Sequence, residues 1–181
     1  MRMDVSDETL ALMAADGDRE AFSDLLGRRY DGLFRLAFRL TGNRADAEDL
    51  TQDICAQLAV KLVGFRAGAR FTTWLYRVVV NAAHDRRRRA TTRAKAADGW
   101  GDWEKNRRAG DAETAEQIDW LGQVMSRLPE EIRVTLALIL EEEMTQAAAA
   151  EVLNVPEGTI SWRVSEAKKQ MRAIARQEEA E

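Results

Sequence analysis

Phe22, Leu26, Tyr30, Leu33, Ala37 and Leu40 recur at steps of four, four, three, four and three residues. That spacing lines one face of an α-helix but scatters over both faces of a strand. Asp18 suits the N-cap of this helix, and Gly42-Asn43 suits its end. The same period returns at once in Ala47, Leu50, Ile54, Leu58 and Leu62 and stops at Gly64. A third helix is expected from Phe71 through Leu75, Val78, Val79 and Ala82 into the arginine run 86–89. β-branched runs are scarce outside 78–80, and the only two prolines are Pro129 and Pro156. The expected fold class is therefore all-α, with two small helical domains joined by a flexible linker.

Three helices and the glycine-bounded loop 64–70, which carries Arg66 and Arg70, make up the expected first domain, residues 1–93. Apolar periodicity then fails, and 94–113 reads as a linker in which Trp100 and Trp103 suit anchors onto a neighbouring surface. The expected second domain, 114–181, opens with a helix marked by Ile118, Leu121, Val124 and Leu128. Another follows with Ile132, Leu136 and Ile139, begun by Pro129 in a first-turn position with Glu130 and Glu131. Next, Thr145 suits the cap of a short helix to Leu153, Asn154 tolerates the left-handed conformation that ends it, and Pro156 suits the first turn of a new helix. In that last helix Ile160, Val164, Ala167 and Met171 face inward. Ser161, Trp162, Arg163, Ser165, Lys168 and Lys169 are left outward, types that bond phosphates and base edges. Taken alone, such a helix-turn-helix is also met as an ordinary hairpin of a bundle.

Overall charge argues against a nucleic-acid partner: 27 Lys and Arg stand against 31 Asp and Glu, a net charge of −4. Its distribution argues the other way. Between residues 66 and 95 Asp85 is the one acidic residue among nine basic ones, while acid collects at 46–53, 98–119 and 141–143. One cysteine and one histidine cannot form a disulfide or a four-ligand zinc site, so no metal or other cofactor is expected. The first fifteen residues carry Asp4, Asp7 and Glu8 where a signal peptide needs a basic start. No apolar run approaches the length of a membrane span, so a cytoplasmic protein without membrane insertion is expected. No further regulatory domain is expected past Glu181.

The segments Asp46-Ala47-Glu48-Asp49-Leu50-Thr51-Gln52-Asp53, Phe71-Thr72-Thr73-Trp74-Leu75-Tyr76, Leu128-Pro129-Glu130-Glu131 and the stretch 150–160 occur in one order and spacing. Together they resemble a bacterial RNA polymerase sigma factor of the extracytoplasmic-function type, over about 18–89 and 118–172. The resemblance implies a non-enzymatic subunit that binds core RNA polymerase, recognises the −10 and −35 elements of promoter DNA and aids strand opening. It also implies an anti-sigma partner. Polymerase docking would fall to Asp46, Asp49, Gln52 and Asp53. The −10 element and melting would fall to Arg66, Arg70, Thr73, Trp74, Arg77, Asn81 and Arg86, with Asn81 best suited to a base edge and 86–89 to phosphates. The −35 element would fall to Thr159, Ser161, Trp162, Arg163, Ser165, Lys168 and Lys169.

Several positions depart from the family's pattern. Trp162 stands where a small polar residue is usual and Glu166 where a basic one is common; Cys55 and Ala59 replace frequent aromatics. Ala147, Ala148 and Ala149 replace a more varied stretch and predict a thin core beneath the helix-turn-helix. Two other readings stay open on the residues alone. One is a free-standing helix-turn-helix regulator, which leaves the acidic segment unexplained. The other is a metal-dependent nucleic-acid enzyme using Asp46, Glu48, Asp49 and Asp53 as oxygen ligands.

Overall fold

The structure, a computed structural model, describes residues 5–66, 68–96, 125, 127–141 and 144–178. Within them lie seven helices and no strand: α1 Asp7–Ala15, α2 Arg19–Thr41, α3 Arg44–Leu62, α4 Phe71–Ala96, α5 Glu130–Ile139, α6 Gln146–Leu153 and α7 Glu157–Glu178. The expected linker tryptophans Trp100 and Trp103, and the expected helix through Ile118, Leu121 and Val124, lie outside the described residues.

Helix ends follow local chemistry. Asp18 accepts hydrogen bonds from the Glu20 and Ala21 amides at 3.0 Å each, and α2 closes on Gly42 at φ 77°. That backbone region is open to glycine without steric cost. Asn43 caps α3 through the Asp46 amide, and Thr145 caps α6 through the Ala148 amide. Asn154 ends α6 at φ 53°, ψ 48°, as its side chain permits. Pro129 sits one position earlier than its sequence context suggests, as the N-cap of α5 rather than within its first turn. Pro156 likewise precedes α7.

All five residues of the α3 stripe are buried. The α2 stripe is turned from its expected face. Ala21, Leu25, Leu33, Leu36 and Ala37 form its buried side, Phe22 and Leu26 are only half-buried, and Tyr30 is exposed. The cause is α1, a helix that the periodicity argument leaves out. Ser6 caps it, and its Leu10 and Ala11 are fully buried, so α2 must serve neighbours on two sides. α1 also fixes the start of α4, because the Glu8 carboxylate accepts the Phe71 amide at 3.0 Å. Phe71 and Leu75 are fully excluded from solvent, and each such burial contributes about 1.5–3 kcal/mol.

One apolar cluster runs from Leu10 to Ile160, so α5–α7 share a core with α1–α4. α2 meets α5 and α4 meets α6. The alanines of α6 lie at this seam: Ala148, Ala149 and Ala150 are buried in the common cluster, where small side chains let two helix backbones approach. Polar groups lock the same seam. Glu141, 4% exposed, takes an ion pair from Arg39, a longer one of 3.9 Å from Arg35, and a 3.3 Å hydrogen bond from the Tyr76 hydroxyl.

Candidate functional site

Three surfaces bring the expected residues together. On α3, Asp46, Asp49 and Asp53 follow at steps of three and four and so share one face, with Gln52 exposed beside them. Like charges at that spacing repel, and a cation from the neighbouring helix offsets this. Arg86 of α4 stands 3.2 Å from Asp46, 3.0 Å from Asp49 and 3.6 Å from Asp53. Burial alone would lower the Arg86 pKa, but its bonds to Asp49 and Asp46 prevail and raise it. The space that a divalent cation would need among these carboxylates is thus filled by a guanidinium.

The second surface is α4 with the loop before it. Phe65, from the loop, is buried against Phe71 (centroids 5.6 Å apart, planes at 84°) and Trp74 (5.5 Å, 67°), while Phe71 and Trp74 stand 5.8 Å apart. This aromatic trio anchors the loop, with Arg66 and Arg70 exposed on it and Gly68 at φ 108° turning the chain. Trp74 is half-buried, and Thr73, expected to touch DNA, is buried. Asn81 is exposed. Arg77 donates to the Glu151 carbonyl of α6, and the Glu130 carboxylate of α5 receives His84 at 3.1 Å and Arg87 at 2.9 Å. Nearby, burial and then the Arg87 charge lower the pKa of Arg133, against an opposing pull from Glu130. α5 and α6 thus engage Arg77, His84 and Arg87 of α4 while leaving these side chains exposed to solvent.

The third surface is α7. Ile160 and Ala167 are fully buried and Val164 and Met171 half-buried, which turns Ser161, Trp162, Ser165, Lys168 and Lys169 outward as their spacing requires. Thr159 is half-buried. Trp162 is 60% exposed. Ser165, Lys168, Lys169, Arg172 and Arg176 are exposed in succession along the helix. Two expected contacts are engaged within the unit: Ser161 with Gln146 at 2.6 Å, and Arg163 with Glu131 at 3.2 Å. Sequence reasoning missed Glu8, Glu130 and Glu141, whose partners lie far along the chain, and Phe65, whose ring partners Phe71 and Trp74 lie across the turn of the loop.

Comparison with known proteins decides the family. Residues 25–93 match the model of Sigma-70 region 2, and residues 118–171 match that of Sigma-70 region 4. The chain is 32% identical to the ECF RNA polymerase sigma factor SigM of Mycobacterium tuberculosis (strain ATCC 25618 / H37Rv) over 175 residues, covering 92% of this chain and 83% of that one. The chain belongs to the extracytoplasmic-function RNA polymerase sigma factors. It is also 27% identical to SigW of Bacillus subtilis (strain 168) over 172 residues, 86% of this chain and 89% of that one. The fold agrees. CnrH, solved in complex with the cytosolic domain of CnrY, superposes with a TM-score of 0.73 at 23% identity, covering 93% of this chain and 96% of that one. RpoE of Bartonella quintana, solved with the anti-sigma factor NepR, superposes at 0.75 and 22%, covering 86% and 96%. A sigma factor is an initiation factor that binds core RNA polymerase and directs promoter-specific transcription. Among the described residues of this sigma factor, no helix is long and apolar enough to cross a membrane.

Proposed function

We propose that this sigma factor docks on core RNA polymerase through Asp46, Asp49, Gln52 and Asp53, and that it does so in the bacterial cytoplasm without catalysing any bond change itself. The observation that carries the assignment is the exposed carboxylate row on α3: Asp49 and Asp53 have side chains 64% and 66% exposed, available to a basic partner surface. On this reading residues 1–93 bind the polymerase and the −10 element, 94–113 link, and 114–181 read the −35 element. The loop cations Arg66 and Arg70 clamp phosphates, Trp74 and its aromatic neighbours support strand opening, and Asn81 reads a base edge. Arg86 completes the −10 face, from which Thr73 is removed by its burial, and Thr159, Ser161, Trp162, Ser165, Lys168 and Lys169 form the −35 face, which Arg163 joins on leaving Glu131. Arg77 and Arg87 are exposed, and a duplex phosphate reaching them competes with the Glu151 carbonyl of α6 and the Glu130 carboxylate of α5.

CnrH and RpoE of Bartonella quintana were each solved with a partner chain, for RpoE an anti-sigma factor. We extend a partner of that kind to this chain, one that holds it off both polymerase and DNA. The deciding experiment is gel filtration of the purified chain with bacterial core RNA polymerase, wild type beside Asp49→Arg/Asp53→Arg. Co-elution of the wild type and its loss in the double variant are expected. Absence of co-elution by the wild type, with no inhibitor present, defeats the assignment.

A further inference from the structure

Arg86 has two claims on it. By position it heads the basic run at the end of α4 that the DNA reading needs. By contact it belongs to α3, where it lies within 3.6 Å of three carboxylates on one face. Among the described residues those three acids have no other cation in ion-pair range. Asp46 also accepts from the Asn43 side chain at the helix start. A single guanidinium facing three carboxylates leaves the face acidic on balance, so it still attracts a basic surface from outside. Such a surface competes with Arg86 for the same three carboxylates, each of which gives Arg86 one oxygen.

We propose that Arg86 is an internal stand-in for the polymerase. In the free chain it holds the docking carboxylates in register. On docking, the polymerase's basic surface takes those carboxylates, and Arg86 swings outward to join Arg87–Arg89 on a DNA phosphate. The proposal rests on the docking role given above to Asp46, Asp49 and Asp53. Its physical basis is exchange between like partners. The Arg86 side chain is 36% exposed and its three acceptors are between 48% and 66% exposed, so each pair is weak enough to be displaced without unfolding α3 or α4. A released guanidinium beside Arg87, Arg88 and Arg89 adds to a local excess of positive charge, which favours an anion there, and duplex DNA supplies one. Core binding and DNA contact are thereby linked through one side chain. Arg86 is a positioning residue in the free chain and a phosphate contact in the holoenzyme.

The test compares full-length wild type, Arg86→Gln and Arg86→Lys. Affinity for fluorescently labelled core polymerase is measured first without DNA. The affinity of each holoenzyme for a duplex fragment that the wild-type holoenzyme retains from a random pool is measured next, across a salt series. Removal of the internal competitor should make Arg86→Gln bind core about three- to tenfold more tightly. The same variant should bind the fragment more weakly, with the slope of log affinity against log salt smaller by about one. Arg86→Lys, which keeps the charge, should fall close to wild type in both. Core affinity of Arg86→Gln that is unchanged or weaker, with its melting temperature at the wild-type value, overturns the proposal and leaves Arg86 a plain brace. Failure of the docking assignment reads differently: Asp49→Arg/Asp53→Arg would then bind core as well as wild type, whatever Arg86→Gln does.

Discussion

Removal of the Glu141 carboxylate should open the seam between α1–α4 and α5–α7. The Glu141 side chain is 1% exposed and Arg39, its principal partner, 19%. Replacement by alanine therefore strands a largely buried guanidinium and removes the acceptor of the Tyr76 hydroxyl. Breaking a buried pair by deleting one partner costs about 3–5 kcal/mol when both ions are fully enclosed. Arg39 keeps some contact with water and the Arg35 pair is long and half solvated, so about 2–3 kcal/mol is expected for Glu141→Ala. At about 1.4 kcal/mol per tenfold, that shifts the closed-to-open ratio by roughly 30- to 150-fold. Glu141→Gln, which retains an acceptor but no charge, should lose less. Replacing both ions by apolar residues, Arg39→Met/Glu141→Leu, should recover much of the loss. Small-angle scattering reads the opening as a larger radius of gyration, and amide exchange should quicken along α5 and α6. If Glu141→Ala leaves the radius, the exchange rates and the melting temperature at wild-type values, the buried carboxylate does not hold the seam and the reasoning fails.

Phe65→Ala should destabilise the chain by about 3 kcal/mol through loss of the aromatic trio, measured as a lower urea midpoint, with faster amide exchange in the 64–70 loop; a midpoint within error of wild type would show the loop is not anchored there. Asn154→Ala should cost about 1 kcal/mol because alanine is strained in the left-handed region, whereas Asn154→Gly should melt at or near the wild-type temperature. Trp162→Ser should alter stability by less than about 0.5 kcal/mol, since the side chain is mostly in solvent, yet change the upstream sequences that the holoenzyme retains from a random duplex pool. Cys55 is half-buried and desolvation raises its pKa. At neutral pH it should therefore alkylate more slowly than a small free thiol, and its rate should climb only above the usual thiol range, as timed by mass spectrometry.

The elements were legible wherever local chemistry decided them. Asp18, Thr145 and Asn154 cap the helices that their types suggest, and the α3 stripe is buried as spaced, because in each case the interacting groups are at most four residues apart. α1 was not legible, since its nine residues give too little periodicity to stand out, and its absence from the argument turned the expected face of α2. The surfaces divide in the same way. The outward residues of α7 follow from the helix period except Arg163, expected outward but 13% exposed because its side chain folds onto α5. What engages them does not: Arg163 meets Glu131 at a separation of 32 residues, and Arg86 meets Asp49 at 37. Glu141 reads in sequence as one of three surface glutamates, and its partners Arg39 and Tyr76 lie 102 and 65 residues away. No local signal carries such pairings.

These pairings also resolve the apparent conflict between an acidic chain and a DNA-reading one. The arginines of α4 are not idle: Arg86 faces three aspartates of α3, Arg87 shares Glu130 with the His84 ring, and Arg77 is on a backbone carbonyl of α6. Phosphates therefore compete with acids or a carbonyl for those groups, and any partner they displace subtracts from the gain of releasing counterions from DNA. An equally basic helix without internal acceptors would hold any duplex it met. A partner that takes the carboxylates of α3 bears on Arg86, whereas one that displaces α5 and α6 bears on Arg77 and Arg87. The acidic side chains that make the net charge negative thus include direct partners of the α4 cations, so an acidic total and a basic helix coexist in one chain.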